Sequence, residues 1–216
     1  MWFLDRHEAG RHLAKQLLPL RQLNPVVLAL PPSGVPVGLE IAQALDADFD
    51  LVLTERITAP GEPDVFVGAV GAAAEPQLVI DAPCIRRLDL PMDYVAEAAT
   101  AAQTRLECRR RRYFGDRPLT EVTGRTVIVV DDGVGLFITT RAALRAVESM
   151  RPARLILAVP VAPIEALEAL EQEAHEVVCL GTAEGFMSVG QFYRQFPCVQ
   201  DAEVAALLEE TRGVAR

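Results

Sequence analysis

Asp131 and Asp132 end the most strand-like run in this 216-residue chain, Thr126-Val127-Ile128-Val129-Val130. Adjacent carboxylates behind a buried strand are costly to desolvate unless a positive or hydrogen-bonding group meets them. A metal ion, the hydroxyls of a sugar, or backbone donors of the next turn would all serve. The competing reading is an acidic pair that forms a turn or caps a helix, and on the pair alone it is the simpler one. The residues that follow are Gly133-Val134-Gly135-Leu136-Phe137-Ile138-Thr139-Thr140. Exposed, Leu136-Phe137-Ile138 would be a patch for a partner; a seat against the core is the simpler expectation.

Other groups carry less. Arg109-Arg110-Arg111-Arg112, near Arg105, has the charge to bind phosphate or nucleic acid. Four arginines at a helix C-terminus more simply make a solvated end that suits the helix dipole. His7 and His12 are five residues apart, so they do not share a helix face as histidines four apart do. His175 stands alone, and no metal site built on histidine is expected. Ser33 precedes a glycine but lacks the Gly-x-Ser-x-Gly setting of a hydrolase nucleophile. Cysteines 84, 108, 179 and 198 form no Cys-x-x-Cys pair and keep no zinc spacing, which reads as free thiols in a reducing compartment.

The elements that must position the acids alternate short apolar runs with helical ones. Residues 7–22 read as a helix, 26–30 as a strand, and Pro31-Pro32-Ser33-Gly34 as a break. Helix 35–45 and strand 50–54 follow, then a Pro/Gly-rich stretch, 58–63. Segments 65–70 and 77–80 read as a hairpin or edge strands. Helix 92–113 comes next, and after strand 126–130 come helix 139–150, strand 154–159, helix 163–174, strand 176–180 and helix 201–211. The fold class is α/β: a mostly parallel central sheet flanked by helices, with Val127–Val130 in its middle, in a single domain over 1–216. Ligands of such sheets bind at the carboxyl ends of the strands, which selects loops 31–34, 55–62 and 131–139. The Pro31–Pro32 bond is expected to be trans, the cheaper isomer by about 0.5–1 kcal/mol.

Composition excludes several functions. The net charge is −9, against the positive charge that broad binding of nucleic acid or anionic membranes requires. Only one of the 21 basic residues is a lysine, Lys15, and an arginine excess spread over the whole chain marks no site. The N-terminus is charged where a signal peptide is apolar, and no apolar run approaches the roughly 20 residues of a membrane span. A cytoplasmic protein is expected.

The acid-pair segment resembles the phosphoribosyl pyrophosphate motif of type I phosphoribosyltransferases: four apolar residues, two acids, a small loop, then a helix. The resemblance extends over nearly the whole chain and is closest to stand-alone predicted phosphoribosyltransferases. Its carriers are Phe3-Leu4-Asp5-Arg6, Ala9-Gly10 and Leu13-Ala14; Leu30-Pro31 and Gly34-Val35-Pro36-Val37; Ala59-Pro60-Gly61 and Gly68-Ala69-Val70; and Val189-Gly190, Tyr193, Phe196 and Asp201. It implies that Asp131 and Asp132 hold ribose hydroxyls. Gly133, Gly135, Thr139 and Thr140, with the helix N-terminus, would then cradle a 5′-phosphate. Ser33, Gly34 and Arg56 would serve the pyrophosphate. It also implies a small hood from terminal or inserted segments, Mg2+ arriving with the substrate near the acids, and a small phosphorylated sugar or nucleotide as ligand; the sequence leaves the oligomeric state open, a homodimer being one option.

Three loops depart from the family pattern. The first loop carries Pro32-Ser33-Gly34 where an arginine and paired glycines are usual. The second carries Glu55-Arg56 where Arg-Lys is usual. In the third, Leu136-Phe137-Ile138 stands where the family has Thr-Gly-Ala or similar small residues. One reading is therefore an enzyme that transfers a phosphoribosyl group to a nitrogenous acceptor through an oxocarbenium-like state, with a degenerate loop. The other is a non-catalytic regulatory protein on the same fold that binds a nucleotide or phosphate.

Overall fold

The structure is a computed structural model that describes residues 3–72, 76–115, 117–182 and 185–214, with side chains to residue 209. Five parallel strands form the main sheet: β1 (Val26–Ala29), β2 (Asp48–Leu51), β6 (Thr126–Val130), β7 (Arg154–Ala162) and β8 (Glu176–Thr182), in the order β2-β1-β6-β7-β8. β6 is thus the middle strand, with Val127 level with Val26 on one side and Leu155 on the other.

Alternation along β6 explains its unbroken apolarity. Val127 and Val129 point to a cluster with Ala143, Leu144 and Val147 of α5 (Phe137–Ser149) and Leu170 of α6 (Ile164–Leu170). Ile128 and Val130 point to the other face, onto Leu13 and Leu17 of α1 (Arg6–Leu17) and Ile41 and Leu45 of α2 (Val35–Leu45). Helix 7–22 is therefore shorter than expected: Pro19 turns its end into a 3-10 helix over Leu18–Leu23.

The region expected to be a loop over 55–62 is instead a strand and a turn. β3 (Thr54–Ala59), β4 (Glu62–Gly71) and β5 (Gln77–Ile80) make a three-stranded antiparallel sheet. Pro60-Gly61 is only the turn, with Gly61 at φ 74°, and Glu55 and Arg56 pair with Val70 and Ala69. This small sheet packs beside α4 (Met92–Phe114), α7 (Asp201–Val214) and the short α3 (Ala82–Arg87) around a second core of Ile57, Val67, Val95 and Leu106. It also lies against α5: a β-carbon on Gly71 would collide with the Ala142 carbonyl oxygen, so only glycine permits the approach. No helix among the described residues is long and apolar enough to cross a membrane.

Candidate functional site

β1 and β6 end side by side, and so do the loops that follow them. The Leu30 amide donates to the Val130 carbonyl at 2.8 Å, and the Gly34 amide donates to Leu30 at 2.9 Å. The Pro31–Pro32 bond is cis, against the trans isomer expected. A β-carbon on Gly34 would meet the carbonyls of Leu30 and Val130 at 2.7 and 2.8 Å, so glycine here sets the spacing of the two loops. Ser33 then lies over the acids, its hydroxyl donating to Asp131 Oδ1 at 3.4 Å.

The carboxylates have different surroundings. Asp131 is half-buried, and its Oδ1 also accepts the Asp132 amide at 2.9 Å. Burial, followed by the charge of Asp132, pushes its carboxyl well above the usual range. Asp132 is buried, and its Oδ2 accepts from Arg6 Nε at 2.8 Å. Burial raises its pKa too, against the pull of Arg6. Tyr193 Oη donates to the Asp132 carbonyl at 2.6 Å, and burial raises the phenol far above its ordinary value.

The following turn is built inward. Gly133 sits at φ 150°, where a β-carbon would strike Val189 at 2.7 Å and Val161 at 2.8 Å. The Val134 amide donates to Val161, that of Gly135 to Gly133, and that of Thr139 to Leu136. The Thr139 hydroxyl donates to the Leu136 carbonyl at 2.8 Å, and Thr140 is buried in α5. Phe137, the first helical residue, packs against the cluster of Val127 and Val129, and Ile138 against Ala69, Val79 and Ala142. Phe137, standing where the family has a glycine, lies in the helix and not at a positive φ. Leu136 supplies no side-chain cap to α5, so the Phe137 and Ile138 amides open the helix without a carbonyl partner in it, while the Thr139 amide is taken by Leu136.

Ser33, Gly34, Asp131, Asp132 and Gly133 therefore meet, with Gly135 and Thr139 on the same turn. Arg56 belongs to the antiparallel sheet, where its guanidinium lies 4.7 Å over the Phe66 ring. The arginines of α4 are not merely a solvated end. Arg105 Nε donates to Glu55 at 2.8 Å, Arg109 to Glu55 and to the Thr54 carbonyl, and Arg112 to Asp201 at 3.0 Å. His175 Nδ1 accepts the Leu155 amide at 3.1 Å, a structural bond.

Arg6, Val189, Tyr193 and Phe196, all carriers of the family resemblance, build the surroundings of the acid turn, a role their residue types alone do not signal. Their joint match at the two ends of the chain was the signal. The acid pair does not fit a resident magnesium ion, which asks for several oxygen ligands in a near-octahedral set. Asp132 is committed to Arg6, and the described residues hold no group of three potential metal ligands.

Comparison with known proteins agrees with this layout. Two Mycobacterium tuberculosis proteins, each named "Putative phosphoribosyl transferase", are 35% identical over 209 residues, 96% of this chain. The chain spans 46% of the length of each. The crystal structure of TT1426 from Thermus thermophilus superposes with a TM-score of 0.81 at 40% identity, covering 97% of this chain and 99% of that one. The model of the phosphoribosyl transferase domain matches residues 4–194, a span that includes every strand of the parallel sheet, and the chain belongs to that family.

Proposed function

We propose that the chain binds a phosphorylated ribose at the turn after β6 and takes part in phosphoribosyl transfer with a weakened hold on phosphoribosyl pyrophosphate. One observation carries this reading: a half-buried carboxylate, Asp131, stands one short turn before the uncapped N-terminus of α5. A carboxylate accepts from vicinal hydroxyls, and unpartnered amides with a helix dipole favour an anion. Asp131 would accept from the ribose, and the Phe137 and Ile138 amides would hold the 5′-phosphate, joined by the Thr139 hydroxyl once it turns away from Leu136. Ser33 would orient Asp131, Gly34 would keep the first loop close, and Mg2+ would enter with the pyrophosphate it neutralises.

A second reading is favoured by particular contacts. The Val134, Gly135 and Thr139 amides are already taken by the carbonyls of Val161, Gly133 and Leu136, Phe137 and Ile138 fill the space that small residues would leave open, and Glu55 is occupied by Arg105 and Arg109. These features suit binding of a nucleotide or simple phosphate without turnover. Pyrophosphate release from the magnesium–phosphoribosyl pyrophosphate complex, with purine and pyrimidine acceptors, separates the two. Release that disappears in Asp131→Asn supports transfer. Binding without release supports the regulatory reading, and neither binding nor release refutes both.

A further inference from the structure

Asp132 spends its polar groups inside the protein. Its amide donates to Asp131 Oδ1 at 2.9 Å, its carbonyl accepts from Tyr193 at 2.6 Å, and its Oδ2 accepts from Arg6 at 2.8 Å. Arg6 is equally fixed. Its Nη1 donates to the Pro197 carbonyl at 2.7 Å, and its guanidinium lies 3.8 Å over the Phe196 ring. The two side chains are 7% and 6% exposed. A flat guanidinium with one edge on a carboxylate and one face on an aromatic ring is a fitted arrangement, not a charge awaiting a ligand. Swinging Arg6 out would strand the Asp132 charge in a buried place.

The pair also joins distant pieces of chain. Arg6 opens α1 beside its N-cap, Asp5, which accepts the Glu8 amide at 2.8 Å. Phe196 and Pro197 follow the 3-10 helix over Val189–Phe192, and Phe3 bridges to Tyr193 in parallel register. The start of α1 and the Phe196-Pro197 segment thereby close on the acid turn through one cation.

We infer that Arg6 is the resident counter-cation of the acid pair: it commits Asp132 to the scaffold, so that Asp131 alone meets a ligand and no free divalent cation collects between the carboxylates. Arg6 is a positioning residue, acting on the site through Asp132. The ligand half of this inference rests on the functional reading above; the cation half does not.

The test uses Mn2+ as the probe, followed by its electron paramagnetic resonance signal, on the full chain. Wild type and Arg6→Lys are expected to bind Mn2+ weakly and alike. Arg6→Met, which keeps the stem and removes the charge, frees Asp132 to act with Asp131. It should bind Mn2+ at least tenfold more tightly, and adding Asp131→Asn should abolish the gain. A merely structural role for Arg6 would lower the melting temperature without creating a metal site. A cooperatively folded Arg6→Met with wild-type Mn2+ affinity overturns the inference, as does wild-type Mn2+ binding that is lost in Asp132→Asn. Should Arg6→Met fail to fold, the wild type labelled with 15N-arginine decides. The Arg6 Nε–H signal should exchange slowly with water and hold its position in millimolar Mg2+; a signal that moves or broadens with Mg2+ overturns the inference. If ribose 5-phosphate binds nowhere, the functional reading fails while both of these readouts still stand.

Discussion

A β-carbon added to Gly34 would stand 3.0 Å from the Cα of Asp131, closer than packed atoms tolerate. The first loop and the acid turn therefore meet backbone to backbone, with the Leu30 and Val130 carbonyls on the same side. Gly34→Ala must push them apart, because backbone atoms in a core cannot move aside singly. Overpacking of this kind costs about 1–3 kcal/mol. The melting temperature should fall, and ribose-phosphate affinity should fall further than in Ser33→Ala, which removes only a 3.4 Å hydrogen bond. Equal losses in the two variants would show that the loop spacing does not set the position of Asp131.

Glu55 stands where the family usually carries a cation, and its partners explain the exchange. It holds Arg105 and Arg109, tying α4 to β3. Glu55→Arg would set three like charges together, with an expected loss of about 1 kcal/mol because these groups are partly exposed. No gain in affinity for phosphoribosyl pyrophosphate is expected, and calorimetric titration of the variant checks this. Tighter binding would mean that the second loop lacks only a charge.

The Asp131 carboxyl is raised by burial and by Asp132, against the Ser33 hydroxyl and the Asp132 amide; Tyr193 also faces it, and Arg6 is held by Asp132 beside it. A raised pKa means that the folded state prefers the protonated form. Its contribution to stability is complete below the unfolded value, 3.8, and is lost as pH rises through the folded value. Asp131→Asn stays neutral throughout. The melting temperature of the variant should therefore rise relative to wild type as pH increases from about 4, then level off. A difference that is constant with pH, or of opposite sign, contradicts the burial of this carboxyl.

Leu136→Thr with Phe137→Gly makes the loop small again. Phe137 is partly buried against the β6 cluster and starts α5, so its loss should destabilise by less than the roughly 3–5 kcal/mol of a core phenylalanine, offset by roughly 1 kcal/mol from a threonine at the cap position. Affinity for phosphoribosyl pyrophosphate should nevertheless rise, as amides are released toward the anion. An unchanged affinity in the folded variant would mean that the apolar side chains are not what weakens the loop.

Much of this was legible in the sequence. Val127–Val130 could only be a strand covered on both faces, and the carboxyl-end rule placed Asp131 and Asp132 beside Pro31–Gly34. β3 was hidden because its charged pair, Glu55-Arg56, and the adjacent Pro60-Gly61 turn look like loop. Only its pairing with β4, a tertiary fact, makes it a strand. Arg6 was hidden for a different reason: an arginine in the first turn of a helix looks solvated, and its partner lies 126 residues away. The α4 arginines misled in the same manner, since Glu55 and Asp201 are remote in sequence.

The most direct test is calorimetric titration of the magnesium–phosphoribosyl pyrophosphate complex into wild type and Asp131→Asn. The expected result is saturable wild-type binding with Kd of about 0.1 mM or weaker, roughly −5.5 kcal/mol, and none in the variant. Low-micromolar wild-type binding would contradict the weakened loop. No wild-type heat, or equal heats in both proteins, would contradict a ligand site centred on Asp131.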